Sequence, residues 1–485
     1  MARRKRNRAK KLLVGLAVFV VMAGGAFIGM QFFTKTGIFR VPGVVYYDES
    51  LKPDELAKLQ TIFTEEIDLD KDVTISAKEY TTKPELNEGE FLYDIYVPVT
   101  DFYEERIDTN ELTGGEYHTI SIEELDSTQK LLATDGEYYL DSFNNGATFR
   151  VISFDSERYT EEIAPLVADS FTKKFPEKDT VLTMAQTGVT ALSRGMNAKL
   201  KSVNDATYFA EKIKDYLTKF DLTHTSNESS FTNLANSENI CSDMKFIDTL
   251  TAIGLDIVEL TGNHNQDCGN EAASDTIDIY EQNNIKMVGG GRNATEAAIP
   301  LKINEKGNNI TFLAYNLSTG GATYGDTPGA NQYYEETAAA EIAEAKERGD
   351  FVLVDVQYYE CSNYDTSYEN TACDYADSAA GDQVGFFRHL IDLGADMVVG
   401  TSAHQPQTFE LYGNSTIYYG LGNLFFDQVW WPGTTRSLIL EHYFYNGKLL
   451  QTRIEPTVYD SNMQTELMDS HTAEWFIERL IKARP

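Results

Sequence analysis

Positive charge is what this chain lacks most. Its 485 residues hold 41 Lys and Arg against 75 Asp and Glu, a formal net charge of −34 at pH 7. A field of that sign repels polyanions at long range, which excludes nucleic acid as a partner. An anionic substrate needs a local pocket set against the overall field. Cysteine is also scarce: there are four, and no two stand in a CxxC spacing, which disfavours a zinc finger or ribbon. Also missing are a repeat of fixed period and any low-complexity block. Disorder is excluded from the other side, because 12% of residues are aromatic and 42% hydrophobic.

The few cations are unevenly placed. Seven Lys and Arg fall in MARRKRNRAKK, so the remaining residues carry −34 less +7, or −41. The 22 residues Leu12 to Phe33 follow without a charge. As a helix they would span about 33 Å, enough to cross a bilayer. The basic flank stays on the cytoplasmic side, so the rest of the chain is expected outside. A cleaved signal peptide is the rival, since MAGGA offers small residues; the length of the apolar run favours an uncleaved anchor. The lipid bilayer is then the first expected partner.

An exported chain meets an oxidising compartment, where four cysteines read as loop staples. Cys361 and Cys373 lie twelve apart in CSNYDTSYENTAC, which would leave Cys241 for Cys268. Three connectivities are open to four cysteines.

The chain is too long for one ordinary domain. Its expected parts are a basic tail (1–11), an anchor (12–33), a mixed α/β domain (34–176), a second α/β domain (177–460) and a C-terminal helical segment (461–485). In the first domain DELAKLQTIFTEEI has helical spacing, while FLYDIYVPVTDF and ATFRVISF read as strands. GEYYLDSF reads as a hairpin strand. No catalytic constellation is visible there. From about Thr180 strands alternate with helices of about a dozen residues, the pattern of a layered α/β fold. The strand candidates are TVLTMAQTG, LDIVELTGN, ITFLAYN, FVLVDVQ and ADMVVGTSAHQ. Antiparallel hairpins follow, one of them turning at YNGK.

In such folds functional side chains collect beyond the carboxyl ends of strands. Those ends here supply Arg194, then Asn227 and Glu228, then Asn263, His264 and Asp267, then Gln357 and Glu360, and last His404. Each has a bland alternative: a surface acid for the glutamates, a salt bridge for Arg194, a turn residue for His264, a satisfied structural imidazole for His404. His389 and His442 fall inside a helical and a strand pattern, and His118, His224 and His471 stand in no constellation. Trp430-Trp431 is read either as a site rim or as packing.

The order of these segments resembles the CapA family, named for poly-γ-glutamate capsule biosynthesis, which has a calcineurin-like metallophosphoesterase fold. GADMVVGTSAHQPQTFELYGNSTIYYGLGNLFFDQ is similar to the family stretch with its histidine-rich turn and "YSLGNFVFD"-like run. TGNHNQDCG resembles the family's Asn-Asn-His…Asp-Tyr-Gly, and VQYYEC stands where the family has His-Trp-Gly-x-Glu-Tyr. The resemblance covers about residues 180 to 455. It implies a layered, metallophosphoesterase-like α/β domain, which the patterning above places after a smaller mixed α/β domain and an N-terminal transmembrane helix.

Departures from the family pattern shape the chemistry it implies. Val189 stands in the place of the Asp in Gly-Asp-Val-Met-Leu-Gly-Arg, and Ser226-Asn227-Glu228 replaces Asn-Leu-Glu. Gln357 replaces the His of His-Trp-Gly. Gly400-Thr401-Ser402-Ala403-His404 keeps only the last histidine of its turn. A two-metal phosphoesterase needs a bridging carboxylate and several imidazoles, and valine has no lone pair to give. At most one weakly bound divalent ion is expected as cofactor, and no metal ligand set is assigned.

Two readings follow. In one, the chain is an exported hydrolase or transferase acting on an anionic cell-surface polymer. Glu228 and Glu360 would then be the acid/base pair, His264 and His404 polarising groups, and Arg194, Asn263 and Gln357 would bind substrate. In the other, it is a non-catalytic envelope protein that tethers such a polymer in a degenerate cleft. A transport-associated solute receptor built on residues 44–176 ranks third.

Overall fold

A computed structural model describes residues 43–63, 69, 71–104, 107–113, 115–171, 173–318, 320–361, 364 and 381–485. The basic tail, the anchor over 12–33 and Cys373 lie outside the described residues. Among the described residues no helix is long and apolar enough to cross a membrane.

The chain divides into two compact units. The smaller comprises 43–78, Glu85–Tyr93 and Val151–Lys173. Its helix Pro53–Ile62 starts on a proline, whose missing N–H costs nothing there, and Glu55 reaches back to accept from the Lys52 N–H at 2.6 Å. That helix buries Leu59 in a core with Val73, Ile75, Ile152, Phe154 and Val167. Val45–Tyr47 pairs in parallel with Val73–Ile75.

The larger unit holds Glu79–Pro84, Asp94–Arg150 and Lys174–Pro485. Residues 94–150, expected within the first domain, therefore group with the larger unit. The hairpin strand expected at GEYYLDSF is a correction: Tyr139–Ser142 forms a short helix closed by Phe143 in the left-handed region, φ 56°. Tertiary packing decides it, since Tyr139 buries its ring against Phe143 and Phe149 and its hydroxyl donates to the Pro176 carbonyl at 2.7 Å.

Two sheets dominate this unit. The first contains β1 (Leu182–Ala191), β2 (Leu222–Asn227), β3 (Ile257–Glu259) and β4 (Lys286–Val288). The second is built from β5 (Leu301–Glu305), β6 (Asn308–Asn316), β7 (Phe351–Gln357), β8 (Met397–Gly400), β9 (Phe409–Tyr412) and β10 (Ser415–Tyr418). β11 (Asn423–Phe426), β12 (Arg436–Tyr445), β13 (Lys448–Tyr459) and β14 (Thr465–Leu467) return to the first. The strand orders are β4-β3-β2-β1-β12-β13-β14, with β11 also against β1, and β5-β6-β7-β8-β10-β9. β1 to β4 run parallel, as do β6, β7, β8 and β10, while β12 and β13 form the antiparallel hairpin. Its turn is the YNGK read from sequence: Asn446 and Gly447 both have positive φ, 52° and 75°, as a primed turn requires.

Alternation along each strand sorts side chains into layers. Helices α1 (Gly195–Val203) and α2 (Gly269–Gln282) pack Met196, Leu200 and Tyr280 on one side of the first sheet, with Ala185, Val258 and Ile439. Helices α3 (Glu335–Glu347) and α4 (Gln383–Asp392) pack Ile342 and Phe387 on the second, with Val352, Val354 and Val356. Met184, Leu222 and Leu440 meet Phe312, Leu353 and Met397 in the core shared by both sheets, closed by α5 (Ser470–Lys482) through Phe476 and Leu480. The result is an α/β fold of four layers, and β7, covered on both faces, is buried throughout.

Candidate functional site

The shared core turns polar toward the strands' carboxyl ends. On β2 the inward positions run Leu222, His224, Ser226 and then Glu228 just past the strand; on β7 they run Leu353, Asp355, Gln357. Gln186 Nε2 donates to Asp355 Oδ1 at 2.7 Å, and His224 Nε2 lies 3.1 Å from Asp355 Oδ2. His442 Nε2 meets Gln186 Oε1 at 3.2 Å and its Nδ1 meets Thr452 Oγ1 at 2.9 Å. Burial pushes the His442 imidazole down to about 3, helped by nearby His224. Burial, and then the Asp355 charge, push the Glu259 carboxyl up to about 7.

At the top of this seam six of the sequence-predicted groups come together: Glu228, Asn263, His264, Gln357, Glu360 and His404. His404 is 1% exposed; its Nε2 stands 3.7 Å from Glu228 Oε2 and 3.8 Å from Glu360 Oε1. Asn423 orients it. The Asn423 Nδ2 donates to the Thr434 carbonyl at 3.1 Å and to Gln428 Oε1 at 3.2 Å, so its Oδ1 must accept from His404 Nδ1, 2.9 Å away. The proton on Nδ1 is thereby fixed, and Nε2 addresses the carboxylates. Gln357 Nε2 donates to Glu228 Oε1 at 3.2 Å and to Asn263 Oδ1 at 3.1 Å, and Gln357 Oε1 accepts from Thr401 at 3.3 Å. His264 Nδ1 is 2.8 Å from Asp267 Oδ2.

The electrostatics follow from burial and neighbours. Desolvation opposes a charge on His404, yet Glu228 and Glu360 outweigh it and raise the imidazole to about 9. Desolvation raises the fully buried Glu228, against the opposing pull of His404 and His264. Both shifts point one way: the Glu228–His404 pair holds a proton. Glu360, 45% exposed, is lowered by its hydrogen bond to His404 in spite of partial burial. His264 is raised in spite of desolvation by Asp267 first and then Glu228.

Arg194 is placed differently. Its Nε donates to Asp427 Oδ1 at 3.0 Å, and the Gly195 N–H takes Asp427 Oδ2 at 2.8 Å. The guanidinium lies 4.6 Å from the Phe426 ring centre, which in turn lies 5.2 Å from the His404 ring. Arg194 thus sits one aromatic layer from the cluster, in the salt bridge that was its alternative reading. Trp431 stacks on Tyr364 at 5.3 Å, and Tyr364 hydrogen-bonds Glu360 at 3.5 Å, so this aromatic pair edges the cluster. Sequence reasoning passed over Asn423, Tyr364 and Asp427. The run LGNLFFD held both Asn423 and Asp427 at the two ends of β11, a signal available from its position after a strand candidate.

Of the three possible disulfide connectivities, Cys241 pairs with Cys268. Cys361 is also disulfide-bonded. Cys268 stands at the N-terminus of α2, so the bond ties the His264 loop to the segment after β2.

The residues present do not fit a two-metal centre. Val189 has no lone pair, and Gln357 turns its amide N–H groups, not its oxygen, toward Glu228. Among the described residues no grouping of three His, Cys, Asp or Glu suits a metal ion.

A four-layer α/β sandwich with a histidine–carboxylate cluster at its strand ends is the class of protein defined so far. The profile of the family described as bacterial capsule synthesis protein PGA_cap matches residues 183–428, just over half of the chain. The chain belongs to that family. It is 27% identical over 205 residues to the PGA biosynthesis protein CapA of Bacillus subtilis (strain 168), covering 41% of this chain and 50% of that protein. To the capsule biosynthesis protein CapA of Bacillus anthracis it is 26% identical over 200 residues, 40% and 46% of the two chains. To a probable polyglutamine synthesis accessory protein of Mycobacterium tuberculosis it is 28% identical over 191 residues, 37% and 47% of the two. The chain spans about half the length of these relatives.

Proposed function

We propose that this chain acts in the synthesis or attachment of a capsule or another anionic cell-surface polymer of the poly-γ-glutamate type. In this reading residues 12–33 anchor it in the membrane, the folded units lie outside, and the larger unit is metallophosphoesterase-like without the two metals. The observation that carries the chemistry is His404 Nε2 held between Glu228 and Glu360 at 3.7 and 3.8 Å. A buried, proton-holding imidazole can give a proton to an amide or ester leaving group. A half-exposed ionised carboxylate beside it can take one from the attacking group. His264 brings a donor that suits a polymer's carboxylate and carbonyl oxygens, while Gln357, whose two N–H groups are spent on Glu228 and Asn263, positions Glu228.

The test is turnover of poly-γ-glutamate, read as new chain ends. Glu360→Gln is expected to lower the rate about 10²- to 10⁴-fold, the usual weight of acid–base help. Unchanged turnover in that variant would remove Glu360 from the chemistry. Val189 in the place of the family's Asp favours a second reading, a non-catalytic tether. It predicts saturable polymer binding without turnover, lost when His404 and His264 are both replaced by Ala.

A further inference from the structure

We propose that the cavity between β13 and α5 of the larger unit is a second binding site, whose ligand is a small amphipathic cation: an ammonium group on an apolar body. The cavity has a volume of about 290 Å³ and shares no residue with the strand-end cluster. That is close to the roughly 300 Å³ at which small-molecule pockets begin. Phe102, Ile454, Met468, Ile477 and Ile481 line it and all remain only partly buried. Each leaves apolar surface in contact with water, at a cost that a fitting apolar ligand removes. Phe409 and Tyr418 provide the floor.

Its polar groups decide the sign of the ligand. Gln451 is spent, accepting from the Leu131 N–H at 2.8 Å and donating to the Thr452 carbonyl at 2.9 Å. Thr452 Oγ1 is engaged by His442. Arg453 is held by Asp141 and Glu441, each at 2.8 Å, and Lys130 donates to the Glu104 carbonyl. Glu104 also lines the cavity and has a partner of its own, while Glu455 and Glu474 make no side-chain hydrogen bond among the described residues. A ligand carboxylate meets their repulsion, and an alcohol adds no charge to pair with Glu455 beyond that of the nearby Arg453. An ammonium pairs with it while its apolar body takes the partly wet wall. The chain's net charge of −34 adds a long-range attraction for a cation. Burial pushes Glu455 up to about 7, so ammonium affinity should rise as the pH passes through that value.

Calorimetry on the full chain with octylamine, octanol and octanoate separates the possibilities. Octylamine is expected to bind saturably, and octanoate at least about tenfold more weakly, as loss of a charged hydrogen bond implies. Glu455→Gln should weaken octylamine by a similar factor and leave octanol unchanged. Ile477→Trp, checked for its fold by circular dichroism and melting, should abolish binding of all three. No saturable octylamine binding, equal affinity for the three probes, or a Glu455→Gln variant that binds octylamine as before would each overturn the proposal.

Discussion

His404 is buried where an uncompensated charge is expensive, yet it is held firmly in its charged form. Two carboxylates within 4 Å outweigh desolvation, and Asn423 settles which ring nitrogen they meet. A titration is the direct check. Followed by NMR, the ring should change charge near 9, against about 6.5 for an ordinary imidazole. Glu360→Gln should move the midpoint down, because one of the two carboxylates loses its charge. A ring that titrates near the ordinary value would sink the proton-holding pair. Glu360 and His404 were legible in the sequence because each follows a strand candidate. Arg194 was legible too, but its partner was not: Asp427 is 233 residues away along the chain.

Elements matter here through how closely their ends approach. A Cβ added at Gly262 would lie 2.5 Å from Glu228 Cα and 3.0 Å from its Cβ, so the loops after β2 and β3 touch backbone to backbone. Gly262→Ala must push Glu228 away from Gln357 and His404. The expected cost is about 1–3 kcal/mol of overpacking, a fall of several degrees in Tm. An unchanged Tm would rule out the close approach. The Cys241–Cys268 bond braces the same pair of loops; closing a 27-residue separation contributes about 3.5 kcal/mol on the chain-entropy account. Most elements could be read from periodicity, including the buried β7 and the Asn446-Gly447 turn. Tyr139–Ser142 could not, because its helix depends on ring contacts and a carbonyl that other segments provide.

At the scale of the whole molecule, the polar seam between the sheets makes stability depend on pH. The His442 ring has a folded value near 3, below its ordinary 6.5. The unfolded chain therefore binds the proton first, and stability is lost as pH falls from about 6.5 toward about 3. His442→Gln should flatten this acid limb. Urea midpoints compared at about pH 6.5 and about pH 4 would show it, and equal losses in both proteins would remove His442 as the cause. Glu259 acts with the opposite sign. Its folded value near 7 lies above its ordinary one, so its contribution is full in acid and lost as pH rises through about 7.

Composition and patterning alone determined that the chain repels polyanions, that its second half alternates strands and helices, and which loops carry polar side chains. These properties depend on residues near in number, since charge sums and periodicities are local. Which loop groups meet was decided only by the tertiary structure. Parallel strands bring together ends that lie scores of residues apart, so Glu228, His264, Glu360 and His404 converge while Arg194 is drawn off to Asp427. The seam of His224, Asp355 and His442 has the same origin: each looked solitary until two sheets closed over it, setting His224 beside Asp355 and leaving Gln186 to link Asp355 to His442.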